Sequence, residues 1–431
     1  MSRKTSTADM TEAAKPALVP KLRFPEFQAA GDWTTEQLGT VAAVSTQKVG
    51  SNICVPMSIT SGVGLVSQED KFGRVIAGDS YKNYLLLKPN EFAYNKSATK
   101  EYPEGFLTLY MGTELAAVPN SIFTCFRING ESPDVRFLNY QFSDNLHGRW
   151  LRKFIQVGAR AHGSLSINEG DLMALPVPIP AGTTSLVEQQ KIADCLSSVD
   201  ELIATQARKV DALKTHKNGL MQQLFPREAK NQPRLRFPEF RDAAIWNEVA
   251  AGQLFSNRVE RGNSRLPIYS VTINDGMVPR SSLDRRIDDI AECGANKTVS
   301  KGDIAYNMMR MWQGALGVAP VDCMVSPAYI VLKPKAANTV FFSYVLKQPQ
   351  MLRVLTAYSR GLTEDRLRLY YDDFAKVPLL CPSVVEQNRI ADFLSSLDSL
   401  ITVQTQALET LKTHKKGLMQ QLFPLAEAVE G

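Results

Sequence analysis

Residues 187–226 read VEQQKIADCLSSVDELIATQARKVDALKTHKNGLMQQLFP, and residues 385–424 read VEQNRIADFLSSLDSLITVQTQALETLKTHKKGLMQQLFP. Aligned without a gap at an offset of 198, the two stretches are identical at 26 of 40 positions, which chance does not produce. The chain therefore contains one segment twice, and this repeat predicts how the rest of the molecule is organised.

Each copy carries the heptad pattern of a helix that packs along another helix. The seam positions are Ile192, Leu196, Val199, Ile203, Gln206, Val210, Leu213, Lys217, Leu220 and Leu224 in the first copy, and Ile390, Leu394, Leu397, Ile401, Gln404, Leu408, Leu411, Lys415, Leu418 and Leu422 in the second. No proline interrupts either copy before Pro226 and Pro424. We predict two helices with seams of roughly 50 Å. A two-fold relation between the halves would pair them antiparallel.

Two seam positions in each copy are polar. They are Gln206 and Lys217 in the first copy and Gln404 and Lys415 in the second. A polar group at such a position fixes the register or the choice of partner, at a cost in stability. The alternative is that these side chains reach out of a shallow seam into solvent. The sequence favours neither.

A second repeat opens each half of the chain. Residues 21–27 read KLRFPEF and residues 234–240 read RLRFPEF, and Trp33 and Trp246 match at the same offset of 213. The order is therefore linker, domain, helix, twice over. The predicted segments are a mobile tail at 1–20, a first domain at 21–186, a helix at 187–226, a linker and second domain at 227–384, a helix at 385–424, and a tail at 425–431.

Between these anchors the two domains share a plan but little sequence. Residues 92–95 (FAYN) and 304–307 (IAYN) each predict a buried strand that ends in a polar loop. β-Rich runs follow, then helical segments near 137–154 and 340–355, and a proline-marked run precedes each long helix. We predict an α/β fold: two mixed α/β domains joined by two long antiparallel coiled-coil helices, internally duplicated with pseudo-two-fold symmetry.

Composition sets the broad class. The 431 residues suggest about three domains, and a net charge of +5 permits nucleic-acid binding without requiring it. No apolar run is long enough to span a bilayer, and the N-terminus lacks the apolar segment of a secretory signal. The six cysteines are scattered with no CxxC pair. We therefore expect a cytoplasmic protein with reduced thiols and no membrane or metal site.

The sequence motifs of several catalytic classes are missing. There is no phosphate-binding GxxxxGK[ST] loop and no complete dinucleotide-binding loop. The Asn-Pro-Pro-Tyr motif of amino methylation is also missing, since residues 326–329 (SPAY) begin with serine instead of asparagine. The four histidines, His147, His162, His216 and His414, form no metal-binding pattern. We predict that the chain catalyses nothing alone and binds no cofactor itself.

Basic side chains and glycines gather at matching places in the two domains, just before the last proline-marked run. These candidates are Arg149, Arg152, Lys153, Arg160, His162 and Ser164 in the first domain, and Arg353, Arg360, Thr363, Arg366 and Arg368 in the second. Arginine suits bidentate contact with guanine or phosphate, and glycine lets the backbone approach closely. Asn95, Lys96, Asn307 and Arg310 follow the predicted strands. Incidental surface charge and ordinary turns are the alternative interpretation.

The chain resembles the specificity subunit of type I restriction-modification systems in three motifs. They are the opener of each half (KLRFPEF at 21–27 with Trp33, and RLRFPEF at 234–240 with Trp246), the EQxxIA start of each long helix, and its HKxGLMQQLFP end. The resemblance covers nearly the whole chain. It implies two target-recognition domains that each read a half-site in double-stranded DNA, and an antiparallel helix pair that serves as spacer. It also implies docking of two methyltransferase subunits and of endonuclease (translocase) subunits, with S-adenosylmethionine, ATP and Mg²⁺ used by those partners.

Two other functions fit the same pattern. One is a regulator whose two DNA-binding domains sit on a coiled-coil rod, and the other is an adaptor that binds no DNA. If the chain is a specificity subunit, Gln206, Lys217, Gln404 and Lys415 belong to the spacer and partner-binding helices. Because the two domains differ in sequence, the DNA target is predicted to be bipartite and asymmetric.

Overall fold

A computed structural model of the chain describes residues 18–60, 63–155, 165–263, 265–283, 295–363 and 366–424. The chain divides into two compact units, Met1–Gln206 with Ala407–Gly431, and Ala207–Gln406. Each long helix therefore contributes one half to each unit. The tails predicted at 1–20 and 425–431 lie outside the described residues, except for residues 18–20, where Leu18 is buried and its carbonyl accepts a hydrogen bond from the Trp33 backbone.

The first unit is a mixed α/β domain. Its strands are β1 (Thr34–Gln37), β2 (Ala42–Ser45), β3 (Val55–Thr60), β4 (Gly64–Ser67), β5 (Leu85–Leu87), β6 (Phe92–Asn95), β7 (Phe106–Leu109), β8 (Ala116–Val118), β9 (Phe123–Ile128) and β10 (Pro176–Ile179). Its helices are α1 (Leu38–Val41), α2 (Gln68–Phe72), α3 (Val135–Ser143), α4 (Leu146–Leu151), α5 (Glu169–Met173) and the first half of α6 (Ser185–Leu224).

The second unit repeats this plan. Its strands are β11 (Asn247–Ala250), β12 (Phe255–Asn257), β13 (Tyr269–Val271), β14 (Met277–Pro279), β15 (Lys297–Val299), β16 (Ile304–Asn307), β17 (Leu316–Val318), β18 (Cys323–Val325), β19 (Tyr329–Pro334) and β20 (Pro378–Cys381). Its helices are α7 (Ala251–Leu254), α8 (Thr339–Leu346), α9 (Pro349–Ala357), α10 (Tyr371–Phe374) and the first half of α11 (Val384–Leu422).

The main sheets of the two units have the same topology. Each unit contains a four-stranded antiparallel sheet, in the order β2-β9-β6-β7 in the first unit and β12-β19-β16-β17 in the second. The first unit adds a four-stranded sheet β4-β3-β8-β5 with one parallel pair, β3 and β8. In the second unit the corresponding strands form two two-stranded antiparallel sheets, β13-β14 and β15-β18, joined by a parallel bridge between Ile268 and Met324. The proline-marked strands β10 and β20 close each domain against β1 and β11.

The buried FAYN and IAYN strands explain where the cores lie. In the first unit Phe92 of β6 stacks on Phe126 of β9 at 5.1 Å between ring centroids, and Phe142 of α3 packs edge-on against Phe92. In the second unit Tyr306 of β16 is fully buried in a core with Phe342 of α8. The prediction of buried strands at these two places is confirmed.

Within each unit the long helices run in opposite directions. In the first unit Ile192, near the start of α6, shares a core with Leu422, at the end of α11, while Asp200 of α6 pairs with Lys415 of α11. Going forward along α6 therefore means going backward along α11. In the second unit Leu224 shares a core with Ile390, and Lys217 pairs with Asp398. The predicted antiparallel pairing is confirmed in both units.

Candidate nucleic-acid interface

Buried ion pairs attach each opener to a long helix. In the first unit the Arg23 guanidinium forms two hydrogen bonds of 2.7 Å with the Glu188 carboxylate, and the two side chains are 8% and 0% exposed. Arg236 and Glu386 form the same pair in the second unit, at 2.6 and 2.9 Å. The hydrogen bonds to these carboxylates raise the pKa of both arginines. The glutamates are those of the repeated EQxxIA sequence, so this sequence fixes each domain to its helix.

The glutamines of the same sequence hold a second point of each domain. The Gln189 side-chain oxygen accepts a hydrogen bond of 2.8 Å from the backbone of Asp134, which caps the start of α3. Gln387 accepts the equivalent bond of 2.9 Å from Asn338, which caps α8. Both glutamines are fully buried. A buried amide that meets one backbone donor specifies orientation as well as contact.

The two seam lysines form matching three-residue clusters. In the first unit Lys415 binds Asp200 across the helix pair at 2.7 Å and lies 5.1 Å from the Tyr140 ring, whose hydroxyl donates to Asp200 at 2.9 Å. Burial, together with the bond to Asp200, raises the pKa of Tyr140 to about 12, so this hydroxyl stays a donor. Because Tyr140 belongs to α3, the cluster joins the domain to both long helices.

The second cluster consists of Lys217, Asp398 and Tyr344 of α8. Lys217 binds Asp398 at 2.5 Å and lies 4.9 Å from the Tyr344 ring, and the Tyr344 hydroxyl donates to Asp398 at 2.6 Å. The lysines thus neither stay unpaired in the seam nor simply reach solvent. Gln206 and Gln404, the other polar seam residues, are half-buried.

The candidate contacts of the first domain are mostly engaged within the protein. Asn95 is buried at the end of β6, where its side-chain oxygen accepts from the Ser97 backbone, and the half-buried Lys96 follows it. Arg149 pairs with Asp144. Three further candidates, Arg160, His162 and Ser164, lie outside the described residues.

Two candidates after helix α4 keep their cationic groups partly exposed. Arg152 pairs with the buried Glu104 at 2.6 Å, yet its side chain is 69% exposed. The Lys153 ammonium lies 3.2 Å from the centre of the Trp150 ring, which is a cation–π contact. The two side chains follow one another at Arg152–Phe154, a 3₁₀ turn.

In the second domain four of the candidates lie in a short arm, the stretch from Arg360 to Arg368 that follows α9. Arg360 and Arg368 exchange two backbone hydrogen bonds of 2.9 and 2.8 Å, and Arg366 donates to the Thr363 carbonyl. Gly361 makes the arm possible, since its φ is +149° and a Cβ there would lie 2.6 Å from the Arg366 oxygen. The Arg360 side chain pairs with Asp373 at 2.6 Å. The remaining candidate, Arg353, pairs with Glu228 on the surface of α9.

Asn307 and Arg310 line the same open cavity of about 460 Å³ in the second unit. The cavity lies beside β13 and the end of β16, and Arg280 from the turn after β14 also lines it. Sequence reasoning missed Arg280. It stands 27 residues before Asn307, in the turn after β14, and no local pattern marks it.

Metal-binding clusters are absent from the described part of the chain. No group of three or more His, Cys, Asp or Glu side chains within it could hold a metal ion. His147 is buried with Tyr94 and Phe142 at its ring, and burial lowers its pKa to about 4. None of the described helices is both long enough and apolar enough to cross a membrane.

Comparison with known proteins agrees with this architecture. Residues 247–413 match the family described as the type I restriction modification DNA specificity domain. The MjaX specificity subunit of Methanocaldococcus jannaschii is 26% identical over 300 residues, which are 64% of this chain and 65% of that protein. The MjaVIII specificity subunit of the same organism is 23% identical, over 63% of this chain and 66% of its own length. The match thus spans just under two thirds of either relative.

Solved structures share the fold. The S subunit of a type I restriction-modification system from M. genitalium superposes with a TM-score of 0.56 at 15% identity, over 95% of this chain and all of that one. A chain from a study of complex assembly and conformational transition in a type I system gives a TM-score of 0.53 at 15% identity, covering 91% of this chain and 97% of the other. The chain is thus similar to the specificity subunits of type I restriction-modification systems, in sequence over residues 247–413 and in fold over most of its length.

Proposed function

We propose that the chain chooses the DNA sequence for a type I restriction-modification complex, and that its two domains read the two parts of a bipartite, asymmetric target in double-stranded DNA. The best support is that the same contacts attach both domains to the long helices, while the two domains present different residues at the equivalent strand end. Arg23–Glu188 and Arg236–Glu386 anchor the two domains alike. The strand end that carries Asn307 and Arg310 in one domain carries Asn95 and Lys96 in the other.

We propose further that the long helices dock two methyltransferase subunits and that endonuclease subunits complete the complex. Exposed apolar side chains support this, since they recur at matching positions of the repeat. Val187 and Leu202 in the first unit are each 57% exposed, and Val385 and Leu400 in the second are 68% and 41% exposed. Matching surfaces suit two copies of one partner. In this proposal S-adenosylmethionine, ATP and Mg²⁺ belong to the partners.

A modification map of the source genome tests the DNA target. We expect two short specific segments of different sequence, separated by a non-specific gap that places them about one helical turn, or 34–36 Å, apart on the duplex. Insertion of four residues into one long helix adds roughly 6 Å of rise and should lengthen the preferred gap by one or two base pairs. A continuous palindrome, or a gap unchanged by the insertion, would contradict the proposal.

The purified chain tests the division of labour. Without partner subunits it should bind DNA but neither methylate nor cleave it. Methyl transfer from S-adenosylmethionine by a preparation shown by mass spectrometry to lack other subunits would overturn this part. A chain that binds no DNA, alone or with the methyltransferase, would favour the adaptor function instead.

A further inference from the structure

The cavity of about 460 Å³ in the second unit is lined on one side by hydrogen-bond donors. Arg280 and Arg310 line it together, and no Asp or Glu is among the described residues of its lining. In contrast, Arg353 and Arg360 of the same unit each pair with a carboxylate. Two arginines that share one cavity, with no carboxylate among its described lining residues, give that lining a positive charge.

Within the described residues, neither guanidinium has a full set of hydrogen-bond partners. The one side-chain hydrogen bond of Arg280 within the described residues is a long contact of 3.4 Å to the Ser270 hydroxyl, and its Nε is buried without any partner there. Arg310 is exposed, and no hydrogen bond or ion pair to its side chain occurs within the same residues. A buried donor without a partner destabilises the free protein, and a ligand acceptor would remove that penalty.

Asn307 also presents a donor to this cavity. Its side-chain oxygen already accepts a hydrogen bond of 3.0 Å from the Met309 backbone, which leaves the amide NH₂ to face a ligand. An asparagine that reads adenine uses its oxygen and its nitrogen together. Asn307 is therefore poorly arranged for adenine and suits an acceptor.

We infer that this cavity receives the major-groove edge of a guanine in the part of the target read by the second domain, with Arg280, Arg310 and Asn307 as specificity-determining residues. The inference rests on the proposed function. Guanine presents two acceptors, O6 and N7, on that edge, and a forked guanidinium matches them. Val271 and Ala315 add apolar walls to the cavity, which suit the edge of a base better than a phosphate.

The test uses the full chain and duplexes that it selects itself from a randomised pool. Each guanine of the second half-site is then replaced by 7-deazaguanine, which loses the N7 acceptor but keeps base pairing and every phosphate. The wild type should bind one substituted duplex roughly 5- to 150-fold more weakly, the range for loss of one good bidentate contact. At least one of Arg310→Ala and Arg280→Ala should bind the two duplexes about equally, because the guanidinium that contacts N7 is then missing.

Arg389→Ala is the matched control, because it removes one arginine of the same unit that pairs with Glu239 instead of lining the cavity. It should discriminate like the wild type. Arg310 is exposed, so its variant is expected to fold even if Arg280→Ala does not, and circular dichroism checks both. Each variant is also measured across a salt series.

Several outcomes would overturn the inference. If both arginine variants weaken all duplexes equally and the salt dependence becomes shallower by about 0.9, the arginines contact phosphate. If they still discriminate against 7-deazaguanine, or the selected second half-site contains no guanine, the cavity does not read this edge, although the proposed function stands. If the wild type selects no bipartite sequence, the proposed function fails as well.

Discussion

An arginine–glutamate pair is one of the contacts that hold each domain on its helix, and its burial makes it sensitive to loss of one partner. We expect Glu188→Gln to lower the free energy of unfolding by about 3–5 kcal/mol, because Arg23 would remain buried without a counter-charge. Glu386→Gln should act similarly on Arg236. Urea titration followed by circular dichroism measures both.

An exposed pair provides the control for that experiment. Arg136 and Asp194 are bonded at 2.8 Å, but their side chains are 41% and 63% exposed. Asp194→Asn should cost less than about 1 kcal/mol, because water screens and replaces the interaction. Equal losses for Asp194→Asn and Glu188→Gln would show that burial does not set the strength of the Arg23 pair.

The stability of the first unit is expected to depend on pH through His147. Burial, opposed only by weaker contacts such as Nε2 with the Gly105 carbonyl at 3.4 Å, lowers its pKa from 6.5 to about 4. The unfolded chain takes up this proton below about pH 6.5, while the folded chain remains neutral there down to about pH 4. Stability from this group is therefore complete above pH 6.5 and is lost as the pH falls toward 4.

The size of this loss follows from the shift. Between pH 6.5 and 4 the free energy of unfolding should fall by about 3 kcal/mol on account of His147. His147→Gln removes the titrating group, so its stability should vary less over the same range. Parallel pH profiles for the two proteins would contradict the assignment.

The long helices show what a heptad pattern reveals and what it does not. The pattern predicted residues 187–226 and 385–424, and the structure has Ser185–Leu224 and Val384–Leu422. Proline and apolar spacing are local signals, which is why the ends agree closely. The partners of Lys217 and Lys415 are remote aspartates and tyrosines, so spacing left two interpretations of these lysines open.

The tyrosine in each lysine cluster is expected to be the link between domain and helices. Tyr344→Phe removes the hydroxyl that donates to Asp398 and should lower the free energy of unfolding by about 1–2 kcal/mol. The value lies toward the low end for a charged acceptor because Asp398 is 44% exposed. A double-mutant cycle with Asp398→Asn measures the coupling.

Tyr358→Phe is the control in the same unit, since the Tyr358 hydroxyl donates no hydrogen bond within the described residues. It should change stability little. A coupling of zero between Tyr344 and Asp398 would mean that the tyrosine contributes only its packed ring.

At the scale of the whole molecule, the two repeats were enough to predict the duplicated domain organisation. They did not predict the surroundings of the candidate site residues. Arg152 pairs with Glu104, 48 residues away, and Arg353 pairs with Glu228, 125 residues away. Residue type identified these arginines as candidates, while their partners depend on strand order that no local pattern encodes. The same reason hid Arg280, which lines one cavity with Asn307 only because of the fold.

Leu18 and Pro424, near the two ends of the chain, match two residues of the second unit that are joined by continuous chain. In the second unit Pro226 leads through residues 227–230 to Asn231, whose carbonyl accepts from Trp246, and Leu235 donates to the Gln223 carbonyl of α6. In the first unit the Leu18 carbonyl accepts from Trp33, and Leu22 donates to the Gln421 carbonyl of α11. Leu18 and Pro424 therefore occupy the positions of Asn231 and Pro226.

A circular permutant tests this equivalence. Joining Pro424 to Leu18 through a copy of residues 227–230, and opening the chain between Ala229 and Lys230, leaves every described helix and strand unbroken. We expect it to unfold within a few degrees of a linear chain of residues 18–424, the control for both truncations. Its DNA target should also be unchanged under the proposed function. If the linear control folds and the permutant does not, the two junctions are not equivalent, because these proteins differ only in chain connectivity and in the added four-residue link.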